Sequence, residues 1–146
     1  MSSYRFSSDV TEMDRDFIVA YLSGESYWAQ GRTRERHDQA MDASLNFGMF
    51  DTDTGAQVAY ARLITDTVTF AWLCDLFVDP AVQGHGVGIA LMQGIVEFIE
   101  PLRLKRVGLT TADAHGLYEK FGWERLGEPT GTWMARLQPA TDPPTT

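Results

Sequence analysis

The stretch Val78-Asp79-Pro80-Ala81-Val82-Gln83-Gly84-His85-Gly86-Val87-Gly88-Ile89-Ala90-Leu91-Met92 decides how this chain folds. Before it runs Phe70-Ala71-Trp72-Leu73-Cys74-Asp75-Leu76-Phe77-Val78, apolar except for Asp75, which reads as a central strand covered on both faces. After it, Ile89, Met92, Ile95, Val96 and Ile99 recur at helical spacing until Pro101. A buried strand therefore stops at Asp79-Pro80, bends, and enters a helix through three glycines at alternate positions. Glycine reaches positive φ and leaves backbone N–H groups without a Cβ in the way. A helix N-terminus adds donors that lack intrahelical partners and the positive end of the helix dipole. Together these make an anion cradle for a phosphate or pyrophosphate. The plainer alternative is a tight strand-to-helix turn with no ligand.

Two nucleotide readings fail on spacing. A P-loop ends in Gly-Lys-Ser/Thr, and here Gly88 is followed by Ile89 and Ala90. A dinucleotide fingerprint needs G-x-G-x-x-G; starting at Gly84 or Gly86, its last glycine falls on Ile89 or Leu91.

Outward from the loop, the chain alternates strand and helix patterns. Tyr4 to Ser7 suggests a first strand. Thr11-Glu12-Met13-Asp14 resembles a capping signal for a helix carrying Met13, Phe17, Ala20, Tyr21 and Leu22, ended by Gly24. A second helix starting near Thr33 puts His37, Ala40, Met41 and Ser44 on one face. Phe47 to Phe50 leads into the turn Asp51–Gly55, and Val58, Tyr60 and Arg62 then alternate with Ala59, Ala61 and Leu63 as in a half-buried strand. Asp66-Thr67 turns the chain into the apolar run. Further on come a strand at Val107–Leu109, a helix from Ala112 to Phe121 closed by Gly122, and a last strand from Trp133 to Leu137. This order predicts an α/β (mixed α+β) fold, a mostly antiparallel mixed sheet with helices on both faces.

Composition bounds the rest. The 146 residues, 44% apolar and 22% charged, suit one domain over 1–137 followed by a loose tail over 138–146 that carries no large apolar side chain. Twelve basic residues against 20 acidic ones leave a net charge of −8, which argues against nucleic acid or an anionic membrane as partner. With Cys74 as the one cysteine, an intrachain disulfide and a cysteine-based metal cluster are excluded. No secretory pattern opens the sequence, so a cytoplasmic location is expected.

The loop also fits Q-x-x-G-x-G, as Gln83-Gly84-His85-Gly86-Val87-Gly88, and so resembles the acyl-CoA pyrophosphate loop of the GNAT superfamily of N-acetyltransferases. Gly116-Leu117-Tyr118-Glu119-Lys120-Phe121-Gly122-Trp123 resembles that family's helix ending in Leu-Tyr-Glu-Lys-x-Gly-aromatic. The motifs stand in the family's order, and its strand and helix arrangement covers residues 4 to 137.

The resemblance implies a V-shaped splay beside the central strand and acetyl-CoA as co-substrate, with no metal. Leu76, Phe77 and Val78 would pair with the pantetheine arm through backbone groups. Gln83, Gly84, His85, Gly86, Val87, Gly88 and Ile89 would form the pyrophosphate site, and backbone donors explain how an acidic chain holds an anionic ligand. Tyr118 matches the tyrosine that protonates the leaving thiolate; packing is its alternative role. Many members have an asparagine seven residues earlier, where this chain has Thr111, whose hydroxyl has less reach.

Asp75 is the carboxylate nearest the expected reaction centre. An amine with a lysine-like pKa is neutral roughly one time in 2,500 at pH 7, so a base is useful. Asp75 is the candidate, against a structural aspartate as the alternative. His85 reads as a loop residue offering its amide; His37 and His115 lie on helices without a ligand cluster, and Cys74 reads as a small core residue. The acceptor site in this fold is usually built from the segment between the first two helices. Here that is Glu25 to Arg32, where Tyr27 and Trp28 offer flat faces and Glu25 a charge; Trp133 is a further wall. The implied function is acetyl transfer from acetyl-CoA to a primary amine, a small molecule or a peptide, by direct attack in a ternary complex. The competing function is a non-catalytic acyl-CoA sensor on the same fold. A homodimer is left open.

Overall fold

The computed structural model describes residues 3–126 and 134–137. Five strands form one sheet in the order β1-β2-β3-β4-β5: Tyr4–Ser7, Leu45–Asp51, Gln57–Thr65, Phe70–Val78 and Arg106–Gly108. The first four pair antiparallel in sequence order, as short turns allow, and β5 joins β4 in parallel after a helical crossover. The β3–β4 turn is fixed by Asp66, whose Oδ1 accepts from the amides of Val68 and Thr69, while Thr67 takes φ +66°.

Helices cover both faces. On one, α1 (Arg15–Gly24) and α2 (Arg34–Asp42) bury Ile18, Leu22 and Met41 against Phe50, Tyr60 and Phe77. Each starts on a side-chain cap: Asp14 accepts from the Phe17 amide and Thr33 from the Arg36 amide. On the other face α3 (Val87–Ile99) sets Leu91, Met92 and Ile95 against Phe47, Ala61, Leu63 and Leu73. Because both faces are covered, β3 is buried on both from Gln57 to Ala61, so the expected half-buried strand is fully buried over that stretch, while Ile64 beyond it is exposed. No helix among the described residues is long and apolar enough to cross a membrane.

Two irregularities of β4 shape the cleft. The register passes from Tyr60↔Phe77 to Arg62↔Cys74, so Ala61 stands opposite two residues, Asp75 and Leu76. This bulge holds Asp75 at φ +56°, unusual for a residue with a Cβ. It also swaps the faces: Ala71 and Leu73 pack on the α3 side, whereas Phe77 packs on the α1–α2 side. The second irregularity is that β4 and β5 pair only at Phe70↔Arg106, Ala71↔Val107 and Trp72↔Gly108. Past Trp72 the strands part, and among the described residues no strand pairs with the β5-facing edge of β4. This is the expected splay.

Toward the C-terminus the expectations need trimming. The strand at 107–109 runs Arg106–Gly108, and the helix over 112–121 is confined to α4, His115–Glu119. Ahead of it, Thr111 Oγ1 accepts from the Ala114 amide and Tyr27 Oη from the Ala112 amide. At the other end, amides of Phe121 and Gly122 bond to Tyr118 and Glu119 three residues back, and Gly122 turns out at φ +98°. Met134 to Leu137, expected in a last strand, belong to none and are exposed. Trp133 and the expected tail over 138–146 lie outside the described residues.

Candidate active site

Three segments converge where β4 and β5 part. The first is the loop into α3. Gly84 and Gly86 have φ +86° and +78°, and a Cβ on either would meet nothing within 4 Å. Gly86 is the helix N-cap without a side-chain hydrogen bond. The first helical donor with a partner is the Ala90 amide, on Gly86 O at 3.0 Å; those of Val87, Gly88 and Ile89 have none among the described residues. Gln83 turns back, its Nε2 donating to Val78 O at 3.3 Å, so its side chain fastens the bend to the strand end. His85 is exposed between the two left-handed glycines. Three uncommitted amides at a dipole's positive end fit a pyrophosphate.

The second segment is β4 itself. Leu76 and Val78 are half-buried, and Phe77 is buried with its ring stacked on Tyr21 at 4.0 Å. The free edge at 76–78 suits an added extended chain. One bulge away, the Asp75 carboxylate is 4% exposed and saturated. Oδ1 accepts from Trp28 Nε1 at 3.0 Å; Oδ2 accepts from Arg32 Nη1 at 2.9 Å and Arg62 Nε at 3.0 Å. Burial pushes this carboxyl up, but the hydrogen bond and charge of Arg32, followed by those of Arg62, outweigh it and hold it below the ordinary range. Cys74, beside it, is a half-buried free thiol pushed up to about 11 by burial.

The third segment carries Tyr118 on α4. Its ring is 8% exposed and meets Trp123 edge-on at 6.3 Å. Burial, with Tyr27 and Asp113 nearby, pushes its hydroxyl up to about 12, so it is a neutral donor at pH 7. No group among the described residues pairs with that hydroxyl. Thr111 spends an Oγ1 lone pair on Ala114 and keeps its proton available.

The acceptor segment reaches these groups from α1. Tyr27 and Trp28 pack edge-to-face at 4.9 Å and are 64% and 40% exposed. Tyr27 Oη is tied to the Ala112 amide at 3.3 Å, Trp28 to Asp75. Glu25 is exposed, with its backbone capping α1 on Tyr21 O. Glu25, Tyr27, Trp28, Asp75 and Tyr118 thus come from three distant stretches of chain to one region. Sequence reasoning missed Arg32 and Arg62 as partners of Asp75. A signal existed: Arg62 and Asp75 are lone charges in apolar strands, nearly opposite across the turn at Asp66-Thr67. His37 is likewise committed, its Nε2 3.1 Å from Ser23 Oγ at 1% exposure. Among the described residues no group of three or more His, Cys, Asp or Glu is placed to hold a metal.

A mixed sheet splayed beside a glycine-rich helix N-terminus is the arrangement expected from the sequence. Comparison with known proteins makes this specific: residues 10–123 match the acetyltransferase (GNAT) family, and the chain belongs to it. A Gibberella zeae protein, provisionally named an acetyltransferase, is 31% identical over 135 residues, covering 80% of this chain and 76% of the relative. A crystal structure from Xanthomonas campestris pv. campestris, also provisionally an acetyltransferase of the GNAT family, superposes with a TM-score of 0.86 at 37% identity, covering 95% of this chain and 96% of that one. An acetyltransferase, GNAT family protein of Streptococcus pneumoniae TIGR4 gives a TM-score of 0.70 at 25% identity, covering 95% and 99%.

Proposed function

We propose that the chain transfers the acetyl group of acetyl-CoA to a primary amine, by direct attack of the amine in a ternary complex. The observation that carries this reading is Tyr118: a buried, neutral phenol with an uncommitted hydroxyl, on the helix facing the splay. A module that only sensed acyl-CoA would need the cradle and the free edge but no such donor.

Acetyl-CoA supplies an activated thioester, and transfer forms a C–N bond as the C–S bond breaks. The amides of Val87, Gly88 and Ile89 hold the pyrophosphate, with Gly84, His85 and Gly86 shaping the approach and Gln83 fastening the bend. The backbone of Leu76, Phe77 and Val78 lines the pantetheine arm, and Thr111 Oγ1 donates from the opposite wall. Tyr118 gives its proton to the departing sulfur and regains one from water. Held near 12, the hydroxyl is protonated at neutral pH and meets the departing sulfur as a donor.

Asp75 we assign to positioning rather than to proton removal. Three donors already occupy its two oxygens, and its carboxyl is held below the ordinary range, which makes it a weak base. Water takes the amine's proton instead. Tyr27 and Trp28 form the acceptor wall, with Glu25 at its rim.

The test is release of free CoA thiol from acetyl-CoA against a panel of primary amines. Amine-dependent thiol release supports the enzyme; tight CoA binding without turnover on any amine supports the sensor.

A further inference from the structure

The carboxylate of Asp75 serves two guanidinium groups at once, and the charges do not balance. Arg32 Nη1 and Arg62 Nε both donate to the same oxygen, at 2.9 and 3.0 Å. Arg62 donates onward from Nη1 to the neutral Ser44 hydroxyl at 3.0 Å. The adjacent His37 is kept neutral, first by burial and next by the charge of Arg32. Asp38, the other acid bearing on His37, is engaged by Arg15 and Arg34. Two cations therefore face one anion, a local surplus of one positive charge within a chain of net charge −8. Net charge is a screened, distant effect; a guanidinium in contact is not.

The surplus sits on Arg32. Among the described residues its side chain makes the single bond from Nη1, leaving Nε and Nη2 without acceptors, and it is 23% exposed. Trp28 donates to the other oxygen of the same carboxylate, so the Arg32 guanidinium and the Trp28 indole meet at one buried group next to Tyr27. A guanidinium edge recognises a carboxylate through paired, charge-assisted hydrogen bonds.

We propose that Arg32 anchors the acceptor by its carboxylate, so that the acceptor is an amino-acid-like primary amine whose organic part rests on Tyr27 and Trp28. This deepens, and for its catalytic arm rests on, the acetyl-transfer reading above.

Three probes share one ring and one amine: phenylalanine, phenylalanine amide and phenethylamine. Binding is read by calorimetry with and without saturating CoA, and thiol release is read with acetyl-CoA. Phenylalanine should exceed both others at least about tenfold in affinity and kcat/KM, the scale of a charge-assisted contact. Arg32→Gln should erase the gap. Arg32→Lys keeps the charge and the pairing with Asp75, and should narrow the gap without lowering Tm, so the test survives if Arg32→Gln fails to fold. Phenylalanine that binds no better than phenethylamine, or not at all, overturns the anchor, as does a gap that is unchanged in Arg32→Lys and in Arg32→Gln. Preferential phenylalanine binding in a protein that ignores acetyl-CoA would retire the transfer reading and leave the anchor standing.

Discussion

The indole Nε1 of Trp28 donates to Asp75 Oδ1 across 3.0 Å, joining the loop after α1 to the bulge in β4. The wall assigned to the acceptor and the strand assigned to the cofactor thereby share one buried carboxylate. Movement in either segment disturbs the other, because Arg32 and Arg62 hold the same group.

Asp75→Asn separates positioning from proton removal. The amide turns one acceptor into a donor, so either Trp28 or the arginine pair loses its partner. Breaking a buried ion pair on one side costs on the order of 3 kcal/mol, and urea unfolding should show a loss of that scale. A carboxyl lowered in the folded state contributes stability above its unfolded pKa, near 3.9, and loses it as pH falls through the folded value. From pH 6.5 to 9 it stays ionised, so the variant's deficit in amine kcat/KM should be constant across that range. A deficit that shrinks as rising pH supplies neutral amine would return Asp75 to the role of base.

Gly86→Val tests the cradle. The native φ of +78° is one a β-branched residue rarely adopts, and the valine would occupy the open space above the loop. Acetyl-CoA affinity should fall at least about tenfold, roughly 1.4 kcal/mol, by calorimetry. Gly88 differs: its Cβ would meet only Val78 Cγ2 at an ordinary 3.6 Å, so Gly88→Ala should fold with a near-native Tm. Native affinity in a folded Gly86→Val protein would remove the pyrophosphate loop.

Gly94→Ala tests how closely α3 lies on the sheet. A Cβ there would overlap the Phe6 ring, at 2.6 Å from its Cγ. That ring is stacked on Phe47, and Phe47 meets Phe98 edge-on, so it has little room to move. Alanine favours helix by about 1 kcal/mol over glycine, yet overpacking costs typically 1–3. A net loss in urea unfolding is expected; a gain would mean that the β1–α3 contact yields easily.

The backbone path of the glycine loop and the place of Tyr118 on a helix were legible because each is local, set by glycine spacing and by a short helix motif. The setting of Asp75 was not. Strict alternation places it with Leu73 on the α3 side, and only the bulge turns it toward Trp28, Arg32 and Arg62. A bulge depends on how two strands settle against their helices, which the alternation of one strand does not encode. The helix expected over 112–121 shortened to His115–Glu119, with the Ala112 amide donating instead to Tyr27, 85 residues earlier in sequence. The last strand had a strand-like composition, but among the described residues Met134 and Leu137 pair with no strand and are 92% and 85% exposed.

Tyr118→Phe, measured beside the parent protein, tests the central claim most directly. The substitution keeps the buried ring and its contact with Trp123 and deletes only the hydroxyl. With an accepted amine, kcat should fall on the order of 100-fold while calorimetric acetyl-CoA affinity stays nearly unchanged, the signature of a group acting in the transition state alone. Parent-level turnover by Tyr118→Phe would contradict the account and pass the acid's role to water or another group.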